Sequence, residues 1–527
     1  MIHAAIPDHR SHRSRLTPGA ALAAFAIAVA ALGGAGAALA APPKGGAANL
    51  AMISEPQTLD PMASTADLVS IIMQHVYEPL YTFDGNWNVA PMLAESMPTI
   101  SRDGLVYTIP LRKGVKFHNG KEMTADDVVA SLKRWMDMAP RGKAVAKEVK
   151  SLEAKGANTV VITLNRPYAP LLAHFALPSG FAVIMAKDSI ATPLTQFVGT
   201  GPYMMKERKP DQYVQLVRFD GYSARSEAPS GYAGKREALL DELRFVPVPN
   251  ANTRVEGSLS GQYQFADLLP VESFARIDGK PNVKAMLTTP FGFPYLVLNT
   301  KQGPLANVAL RQAVQAALND ADMMAAGFGD PKFYSVEPNH YAKDTPFYSM
   351  AGAENYGKGD ARKAAAMVAA AKYDGTPIKI LTSQAYEFHY RIALVMAENL
   401  KAAGFKVDMQ VVDWATLIQR RNEPPLWDIY ITHSAVLPEP TLTPPQLGDG
   451  APGWWRSPAK KAALDAFDAE TDPVKRGPLW GKVQEVVYTE VPYIRVGSFN
   501  SVTARSTKLD GYVVMPYPFF WNTGLTK

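Results

Sequence analysis

Two glycine-rich stretches come close to catalytic motifs, and each lacks the residue that the chemistry needs. Residues 257–261 read Gly-Ser-Leu-Ser-Gly, but Leu259 stands where a nucleophile elbow needs its serine. Residues 352–359 read GAENYGKG, which is similar to a phosphate-binding loop. In that loop a serine or threonine follows the lysine and holds a metal ion, whereas here Gly359 follows Lys358. The two stretches therefore give no support to nucleophilic catalysis or phosphate transfer.

The cysteine and histidine content excludes several further kinds of site. The chain has no cysteine, which excludes disulfides, thiolate metal ligands, cysteine nucleophiles and a lipid-modified cysteine anchor. The histidines after residue 40 form no HExxH pair, the arrangement typical of zinc proteases. We therefore expect no catalytic residue, no metal site, no cofactor and no enzyme. These histidines are His75, His118, His174, His340, His389 and His433.

The apolar pattern between residues 378 and 432 predicts the elements that would position a binding site. Strands are expected at 378–381, 405–412 and 427–432, and a helix is expected to end near residue 403, before Gly404. Strands that alternate with helices indicate a parallel α/β sheet. Ligands of such sheets lie at the carboxyl ends of the strands. We therefore expect residues 383–389, 413–414 and 433–441 to lie beside one cleft.

Aromatic side chains, most of them in loops of this half of the chain, are candidates for contacting a ligand. Flat rings cover apolar or sugar-like surface without demanding a charge. Each ring could instead be an ordinary core residue, and the group is more suggestive than any single member. The candidates are Tyr386, Trp414, His433, Trp454, Trp455 and Trp521.

Length and charge limit the class of protein. A chain of 527 residues is too long for a single core, so two or three domains are expected. Apolar residues make up 47% and charged residues 20%, an ordinary globular balance. The formal net charge of +5 is small and dispersed, which argues against a nucleic-acid partner.

The first forty residues have the layout of an export signal. Arg10, Arg13 and Arg15 precede an uncharged, alanine-rich run, residues 19–40, that ends in Ala-Leu-Ala. We predict cleavage after Ala40, which would leave a soluble protein without a lipid anchor in the Gram-negative periplasm. A retained membrane anchor is the alternative, because the run is long enough to span a bilayer. The small residues at its end favour cleavage.

One long stretch carries a resemblance to a known family. Around residues 105–135 the pattern predicts a strand, two turns and an amphipathic helix that begins with a capping box of Thr124 and Asp127. The segment RDGLVYTIPLRKGVKFHNGKEMTADDVVASLKR, residues 102–134, resembles the signature of family 5 extracellular solute-binding proteins. These are the peptide, dipeptide and nickel receptors of ABC importers. Further phrases similar to the family's are YEPL (77–80), PMLAES (91–96), GTGPY (199–203) and GPLANVALRQAV (303–314).

The resemblance implies a fold and a set of domains. The implied fold is α/β, a bilobed periplasmic-binding-protein fold of type II, cluster C-like, with an extra α+β insertion in the first lobe. The first lobe would comprise residues 41–80, 199–293 and 493–527, the insertion 81–198 and the second lobe 294–492. The lobes would close on a ligand by hinge motion. The implied partners of this monomer are ABC permease subunits with their cytoplasmic ATPase.

The resemblance also implies where a peptide ligand would be anchored. In the family, a carboxylate late in the second lobe takes the ligand's α-amino group, since a buried charge must be paired. Residues 432–441, THSAVLPEPT, resemble the family's segment that ends in E-P-T. Val436 stands where the family's segment has the aspartate that binds the ligand's α-amino group, so this amino clamp is missing here. Glu439 of the segment is kept. Glu439 could also be only a loop carboxylate.

Other implied positions lie at the start of the long helix and after the first strand. His389 falls on or beside the family's basic position, and Arg391 lies two residues further on. Either could take a ligand carboxylate, although Arg391 could equally be a solvated helix residue. The turn SEPQTLDP, residues 54–61, lies near the cleft in the family, so Glu55 and Thr58 are candidates there.

Three functions remain open from the sequence. The first is a receptor for a peptide or peptide-like solute, as the resemblance implies. The second is the same receptor role for a non-peptide solute that is anionic, aromatic or sugar-like, as Val436 and the aromatic loops suggest. The third is a secreted hydrolase or metalloenzyme, for which the sequence offers no motif.

Overall fold

The structure is a computed structural model that describes residues 43–343, 345–435, 437–442 and 447–526. The predicted export signal, residues 1–40, lies outside these residues. Within the described ranges, no helix combines the length and the apolar character that crossing a bilayer requires.

Strands and helices alternate along the chain, as is typical of mixed α/β folds. The strands are β1 (Ala47–Met52), β2 (Tyr81–Phe83), β3 (Val89–Pro91), β4 (Thr99–Ile100), β5 (Val106–Pro110), β6 (Val149–Ala154), β7 (Thr159–Leu164), β8 (Tyr203–Lys209), β9 (Tyr213–Arg218), β10 (Glu242–Pro247), β11 (Phe265–Leu269), β12 (Val283–Leu298), β13 (Tyr334–Ser335), β14 (Ile378–Thr382), β15 (Val407–Val411), β16 (Ile429–Ala435), β17 (Tyr493–Arg495), β18 (Ser498–Ser506), β19 (Leu509–Asp510) and β20 (Gly524–Leu525). The α-helices are α1 (Asp67–Met73), α2 (Ala125–Met138), α3 (Pro140–Glu148), α4 (Leu171–Ala176), α5 (Ala251–Leu259), α6 (Phe274–Ile277), α7 (Val308–Ala317), α8 (Asp320–Phe328), α9 (Ala361–Ala370), α10 (Glu387–Ala402), α11 (Trp414–Arg420), α12 (Pro458–Ala469) and α13 (Pro473–Glu490).

Twelve of the strands form one sheet with a parallel group towards each end. Its order is β15-β14-β16-β12-β18-β11-β1-β10-β9-β8, with β13 beside β18 and β17 beside β12. In the first lobe β1 lies parallel to β10 and β11, with Leu50 opposite Phe245. In the second lobe β14 lies parallel to β15 and β16, with Ile380 opposite Met409. The parallel sheet that the sequence predicts between residues 378 and 432 is therefore present, and α10 ends at Ala402, close to its predicted end.

One strand, β12, belongs to both lobes. Its first part pairs antiparallel with β18 over residues 283–288, and its last part pairs antiparallel with β16 over residues 292–298. The register shifts between Thr288 and Gly292, where the strand passes from one lobe to the other. A Cβ atom at residue 292 would lie 2.0 Å from the carbonyl oxygen of Ser434, so this close approach of β12 and β16 requires glycine.

A smaller sheet packs against the first lobe and shares its apolar core, in which Ile109 and Trp135 are buried together with Leu50 of β1. This unit contains the four-stranded antiparallel sheet β4-β5-β7-β6 together with α2 and α3. α2 begins with the predicted capping box, in which the Thr124 backbone N–H and hydroxyl donate to Asp127 Oδ2 at 2.9 and 2.8 Å. This unit lies inside the insertion expected at 81–198, whose boundaries stay a prediction.

The C-terminal tail packs into the core of the first lobe. Phe519, Phe520 and Trp521 are buried among the apolar residues of β1, α1 and β10. Gln74 Nε2 also donates a hydrogen bond to the carbonyl oxygen of Pro518 at 2.8 Å. The last residues of the chain therefore help to complete the lobe that begins with β1.

Candidate ligand-binding cavity

A cavity of about 800 Å³ lies between the two lobes. Residues 63–67, α3 and the stretch 166–179 line it from the first lobe and its attached unit, and the end of β16, α11 and residues 447–468 line it from the second. Its volume falls within the range of about 300 to 1,000 Å³ typical of small-molecule sites. The carboxyl end of β16 opens on it, as expected for a parallel sheet.

Three of the predicted site residues form one aromatic wall of this cavity. Tyr386 precedes α10, Trp414 begins α11, and His433 lies near the end of β16. The Tyr386 ring centroid lies 4.7 Å from that of Trp414 and 4.8 Å from that of His433. All three side chains line the cavity, so the strand-end argument brings together residues that are far apart in sequence.

His389 lies behind this wall. Its Nε2 is 3.1 Å from His433 Nδ1, so one of these nitrogens carries the proton of a shared hydrogen bond. Burial and then the charge of His433 lower the pKa of His389 well below its usual value. His389 is therefore neutral near pH 7. It is not among the described residues that line the cavity. On its other side His433 faces Asp67 of the first lobe, with His433 Nε2 3.6 Å from Asp67 Oδ2.

Arg391 is already paired within the protein. Its guanidinium contacts the carboxylates of Glu272 and Glu387, the latter at 2.5 Å. Arg391 is not among the described residues that line the cavity. The basic position expected at the start of α10 therefore carries an intramolecular ion pair in this structure.

Glu55 and Thr58 shape a turn away from the cavity. Glu55 Oε1 accepts hydrogen bonds from Arg208 Nε at 2.8 Å and Nη2 at 2.6 Å, and its Oε2 accepts one from the Asp211 backbone at 3.1 Å. Thr58 Oγ1 accepts from the backbone N–H of Asp60 at 3.0 Å. The described lining of the cavity includes neither residue.

Glu439 also has a partner within the protein. Arg476 donates to both of its oxygens, at 2.7 and 2.8 Å, in a buried bidentate pair. Glu439 does not belong to the described lining of the cavity. Val436, the position of the missing amino clamp, lies outside the described residues.

The remaining predicted tryptophans pack against other side chains. Trp454 stacks on Trp427, with the ring centroids 5.5 Å apart. Trp455 Nε1 donates to Glu490 Oε2 at 2.6 Å. Trp521 stacks on Phe519 in the core of the first lobe, with the centroids 4.3 Å apart. None of these three tryptophans is among the described cavity-lining residues.

Arg141 is a cavity residue that the sequence did not single out. It lies in the first turn of α3 and is 9% exposed. Its Nη1 donates to the carbonyl oxygen of Ser179 at 3.1 Å, and its Nη2 donates to that of Leu442, in the other lobe, at 2.9 Å. Within the described ranges it has no carboxylate at ion-pair distance; burial lowers its pKa, and the more distant charge of Asp67 opposes that lowering. A lone arginine at a helix start has no sequence signature that reveals such a position.

Arg421 is a second unanticipated cavity residue. It follows α11 and points towards the first lobe, where its Nη2 lies 3.5 Å from Thr65 Oγ1. Its Nε is buried without a hydrogen-bond partner among the described residues. Tyr295 lines the cavity together with both arginines. Burial raises the pKa of its hydroxyl well above the usual value, and the charges of Arg421 and Arg141 oppose that rise.

The rim of the cavity carries ion pairs that join the lobes. Asp449 of the second lobe accepts from Lys147 of α3 at 3.0 Å and from Lys460 of α12 at 2.9 Å. Burial opposes ionisation of Asp449, but the hydrogen bonds from Lys460 and Lys147 outweigh it and lower the pKa of this carboxyl to about 2. Arg166 similarly bridges Glu148, at 2.7 Å, and Asp465 of the second lobe, at 3.0 Å.

The first-lobe wall also holds a buried histidine. His174 Nε2 lies 2.8 Å from the Tyr168 hydroxyl, and its Nδ1 has no hydrogen-bond partner in the described part of the chain. Burial lowers the pKa of His174 to about 3, so this wall contributes a neutral ring. Across the described residues, no group of three or more His, Asp or Glu side chains is placed to hold a metal ion.

Comparison with known proteins identifies relatives along most of the chain. A family model described as "Bacterial extracellular solute-binding proteins, family 5 Middle" matches residues 88–449. A relative in Sinorhizobium fredii, named as a probable peptide ABC transporter periplasmic-binding protein, is 25% identical over 491 residues, covering 88% of this chain and 90% of that protein.

Solved structures share the fold. The periplasmic binding protein DppA from Helicobacter pylori, in complex with the peptide STSA, is similar with a TM-score of 0.79 and 23% identity, covering 92% of this chain and 99% of that one. The binding protein AgaA from A. tumefacien R10, in complex with agropinic acid, has a TM-score of 0.79 and 22% identity over 92% and 99% of the two chains. At these identities the likeness concerns the fold, which is the bilobed type II arrangement that the sequence predicts.

Proposed function

The chain belongs to the bacterial extracellular solute-binding proteins of family 5, and from this premise we propose that it captures a dissolved molecule between its lobes and delivers it to an ABC importer. The observation that carries the proposal is the cavity of about 800 Å³ whose walls come from both lobes. A ligand held there would contact both halves of the protein at once. Binding would therefore favour the closed arrangement of the lobes.

The ligand we favour is a short peptide or a peptide-like solute. Support comes from the relative that is named as a peptide-binding protein and from the cavity, which combines aromatic walls with charged groups. Such a mixture suits a ligand that has both a backbone and side chains.

A non-peptide solute is the second candidate, and the aromatic wall formed by Tyr386 and Trp414 favours it. The similar fold of AgaA, whose complex holds agropinic acid, is compatible with this ligand class. The substitution Val436→Asp tests the choice, because it introduces the carboxylate that an amino clamp needs. A gain in peptide affinity without loss of the natural ligand would argue against the second candidate.

The proposal includes a location and partners. The protein would be exported by the segment over residues 1–40, cleaved after Ala40, and released as a monomer into the periplasm. It would then dock on the permease subunits of an importer that a cytoplasmic ATPase drives. The ligand would leave unaltered, since we assign the cavity a binding role and no reaction.

Mass spectrometry of the small molecules that co-purify with the protein tests this function. The protein is purified without refolding and denatured, and the released compounds are identified and then titrated back by calorimetry. We expect saturable binding of one compound per chain and recovery of that compound unchanged after prolonged incubation. Chemical conversion of the compound by the pure protein would instead support the hydrolase reading of the sequence.

A further inference from the structure

We propose that Arg141 and Arg421 form a subsite that takes a carboxylate of the ligand, with one guanidinium contributed from each side of the cavity. This inference rests on the proposed receptor function and specifies the chemical class of its solute. Free peptides and other organic acids share this chemistry, and the experiment below distinguishes between them.

The first argument is the state of Arg141. Its guanidinium is buried and donates to two carbonyl oxygens, those of Ser179 and Leu442. A guanidinium has five N–H donors, so these bonds use only part of its capacity. Carbonyl oxygens solvate a buried cation without neutralising it, and a buried charge is costly unless an anion pairs with it. Because Arg141 lines the cavity, a ligand can supply that anion.

The second argument separates these two arginines from the other cations of the cavity. Lys147 and Lys460 share the carboxylate of Asp449, and Arg166 is paired with Glu148 and Asp465. Lys461 is paired with Asp465 as well, and Arg456 is exposed to solvent.

Arg421 differs from these cations because its contact with Thr65 Oγ1, at 3.5 Å, is at the limit of a hydrogen bond. Like Arg141, it forms no ion pair within the ranges that the structure describes. Two cavity-lining guanidiniums are thus left without a protein anion.

The third argument is a series of contacts that links the two arginines. Arg141 Nη1 donates to the carbonyl oxygen of Ser179, Ser179 Oγ donates to that of Thr65 at 3.0 Å, and Arg421 Nη2 lies 3.5 Å from Thr65 Oγ1. Tyr295 of β12 lines the same cavity as both arginines. A tyrosine hydroxyl can donate one further hydrogen bond to an anion. Asp67 also lines the cavity and faces His433 at 3.6 Å; its charge opposes the effect of burial on the pKa of Arg141, but it lies beyond ion-pair distance of both arginines. The local balance is therefore positive, which favours an anionic group of the ligand.

The geometry also explains how binding would favour closure. Arg141 comes from the unit attached to the first lobe, and Arg421 comes from the second lobe. A carboxylate has two oxygens and accepts charge-assisted hydrogen bonds from both guanidiniums. Without it, closing the lobes would leave both guanidiniums in one partly buried cavity with no anion to pair with, which costs free energy. The ligand carboxylate would remove that cost.

The test compares ligands that differ only in their terminal charge. The probes are a panel of di- and tripeptides as free acids and as C-terminal amides, together with N-carboxyalkyl amino acids and neutral sugars. Binding is measured by calorimetry and by the shift of the unfolding temperature. We expect at least one free acid or carboxyalkyl compound to bind, and its amide or ester to bind about 10- to 100-fold more weakly, the effect of losing a charged hydrogen-bond partner.

Variants then assign the subsite. Arg141→Gln and Arg421→Gln are each expected to weaken the acid about 10- to 100-fold and to leave the amide nearly unaffected. Lys143→Gln in α3 and Arg420→Gln in α11 are the matched controls, since neither lines the described cavity, and both should bind within about 2-fold of the natural protein. If a glutamine variant fails to fold, Arg141→Lys and Arg421→Lys replace it.

The possible outcomes test the carboxylate subsite and the receptor function separately. Equal affinity for acid and amide, tight binding of a neutral sugar alone, or unchanged acid binding in both arginine variants would overturn the carboxylate subsite while leaving the receptor function standing. A folded protein that binds no member of the panel and carries no co-purifying compound would overturn the receptor function, and the subsite with it. If the peptides bind, the carboxylate is a peptide terminus, and if only the carboxyalkyl compounds bind, it belongs to another organic acid.

Discussion

His75 Nε2 accepts a hydrogen bond of 2.9 Å from the backbone N–H of Phe520, which lies 445 residues further along the chain. Since that nitrogen accepts, the proton of the neutral ring lies on Nδ1, which donates to the carbonyl oxygen of Ile72 at 3.2 Å. The ring therefore ties α1 to the C-terminal tail and can do so only while it is uncharged. Burial lowers the pKa of His75 to about 3.

This arrangement predicts a loss of stability in acid. Because the pKa of His75 is about 3 when folded and near 6.5 when unfolded, only the unfolded chain binds this proton between these values. The stabilisation is complete above pH 6.5 and is lost progressively as the pH falls towards about 3. His75→Gln should reduce the slope of unfolding free energy against pH by about 1.4 kcal/mol per pH unit in this window. Urea unfolding at several pH values measures the slope, and parallel curves for the two proteins would contradict the prediction.

Glu439 should matter for stability and not for binding. Its bidentate pair with Arg476 is buried, so Glu439→Gln leaves an unpaired guanidinium in the core and should cost about 3 kcal/mol of unfolding free energy. Glu485→Gln removes the exposed pair with Lys482 and should cost about 0.5 kcal/mol or less. Urea unfolding compares the two variants. Loss of ligand affinity in Glu439→Gln at unchanged stability would show instead that this carboxylate contacts the ligand.

Trp414 and Trp454 should behave differently towards the ligand. Trp414 lines the cavity in contact with Tyr386, whereas Trp454 stacks on Trp427 away from it. We expect Trp414→Ala to weaken binding of the co-purifying ligand about 10-fold, since a buried ring contact is lost. Trp454→Ala is the matched control and should keep its affinity. Calorimetry of the two variants measures the difference, and equal effects would mean that the aromatic wall does not touch the ligand.

The rim ion pairs should contribute modestly to affinity. Asp449 joins Lys147 of the first lobe to Lys460 of the second only when the lobes are together. Asp449→Asn should therefore weaken ligand binding about 2- to 5-fold, as expected for partly exposed pairs, and added salt should reduce this difference. Asp278→Asn, at an exposed carboxylate without an ion pair in the described ranges, is the control. A loss that is independent of salt would assign Asp449 a direct contact with the ligand.

The sequence predicts those parts of the site that depend on the pattern of neighbouring residues. Strand and helix periodicity locate the carboxyl ends of β14, β15 and β16, and these ends bring Tyr386, Trp414 and His433 to one wall. The capping box of Thr124 and Asp127 is equally local and is present. Such features depend on neighbours within a few residues, so the sequence alone suffices for them.

The rest depends on partners that are distant in sequence. Arg141 becomes a cavity cation because Ser179 and Leu442 hold it, and nothing near residue 141 announces these contacts. Arg391 looks equally available from the sequence, yet Glu272, 119 residues away, pairs with it. Tertiary contacts thus decide whether an arginine is paired with a carboxylate of the protein or can bind an anion of the ligand.

β12 is shared between the lobes, and β18 pairs with β11 on one side and with β13 on another. These shared strands limit how the protein can be divided. Neither half could be produced alone with a complete sheet, because each borrows backbone from a strand that also serves its counterpart. A sensor built on this scaffold should therefore insert its reporter into a surface turn and leave both crossing strands uncut.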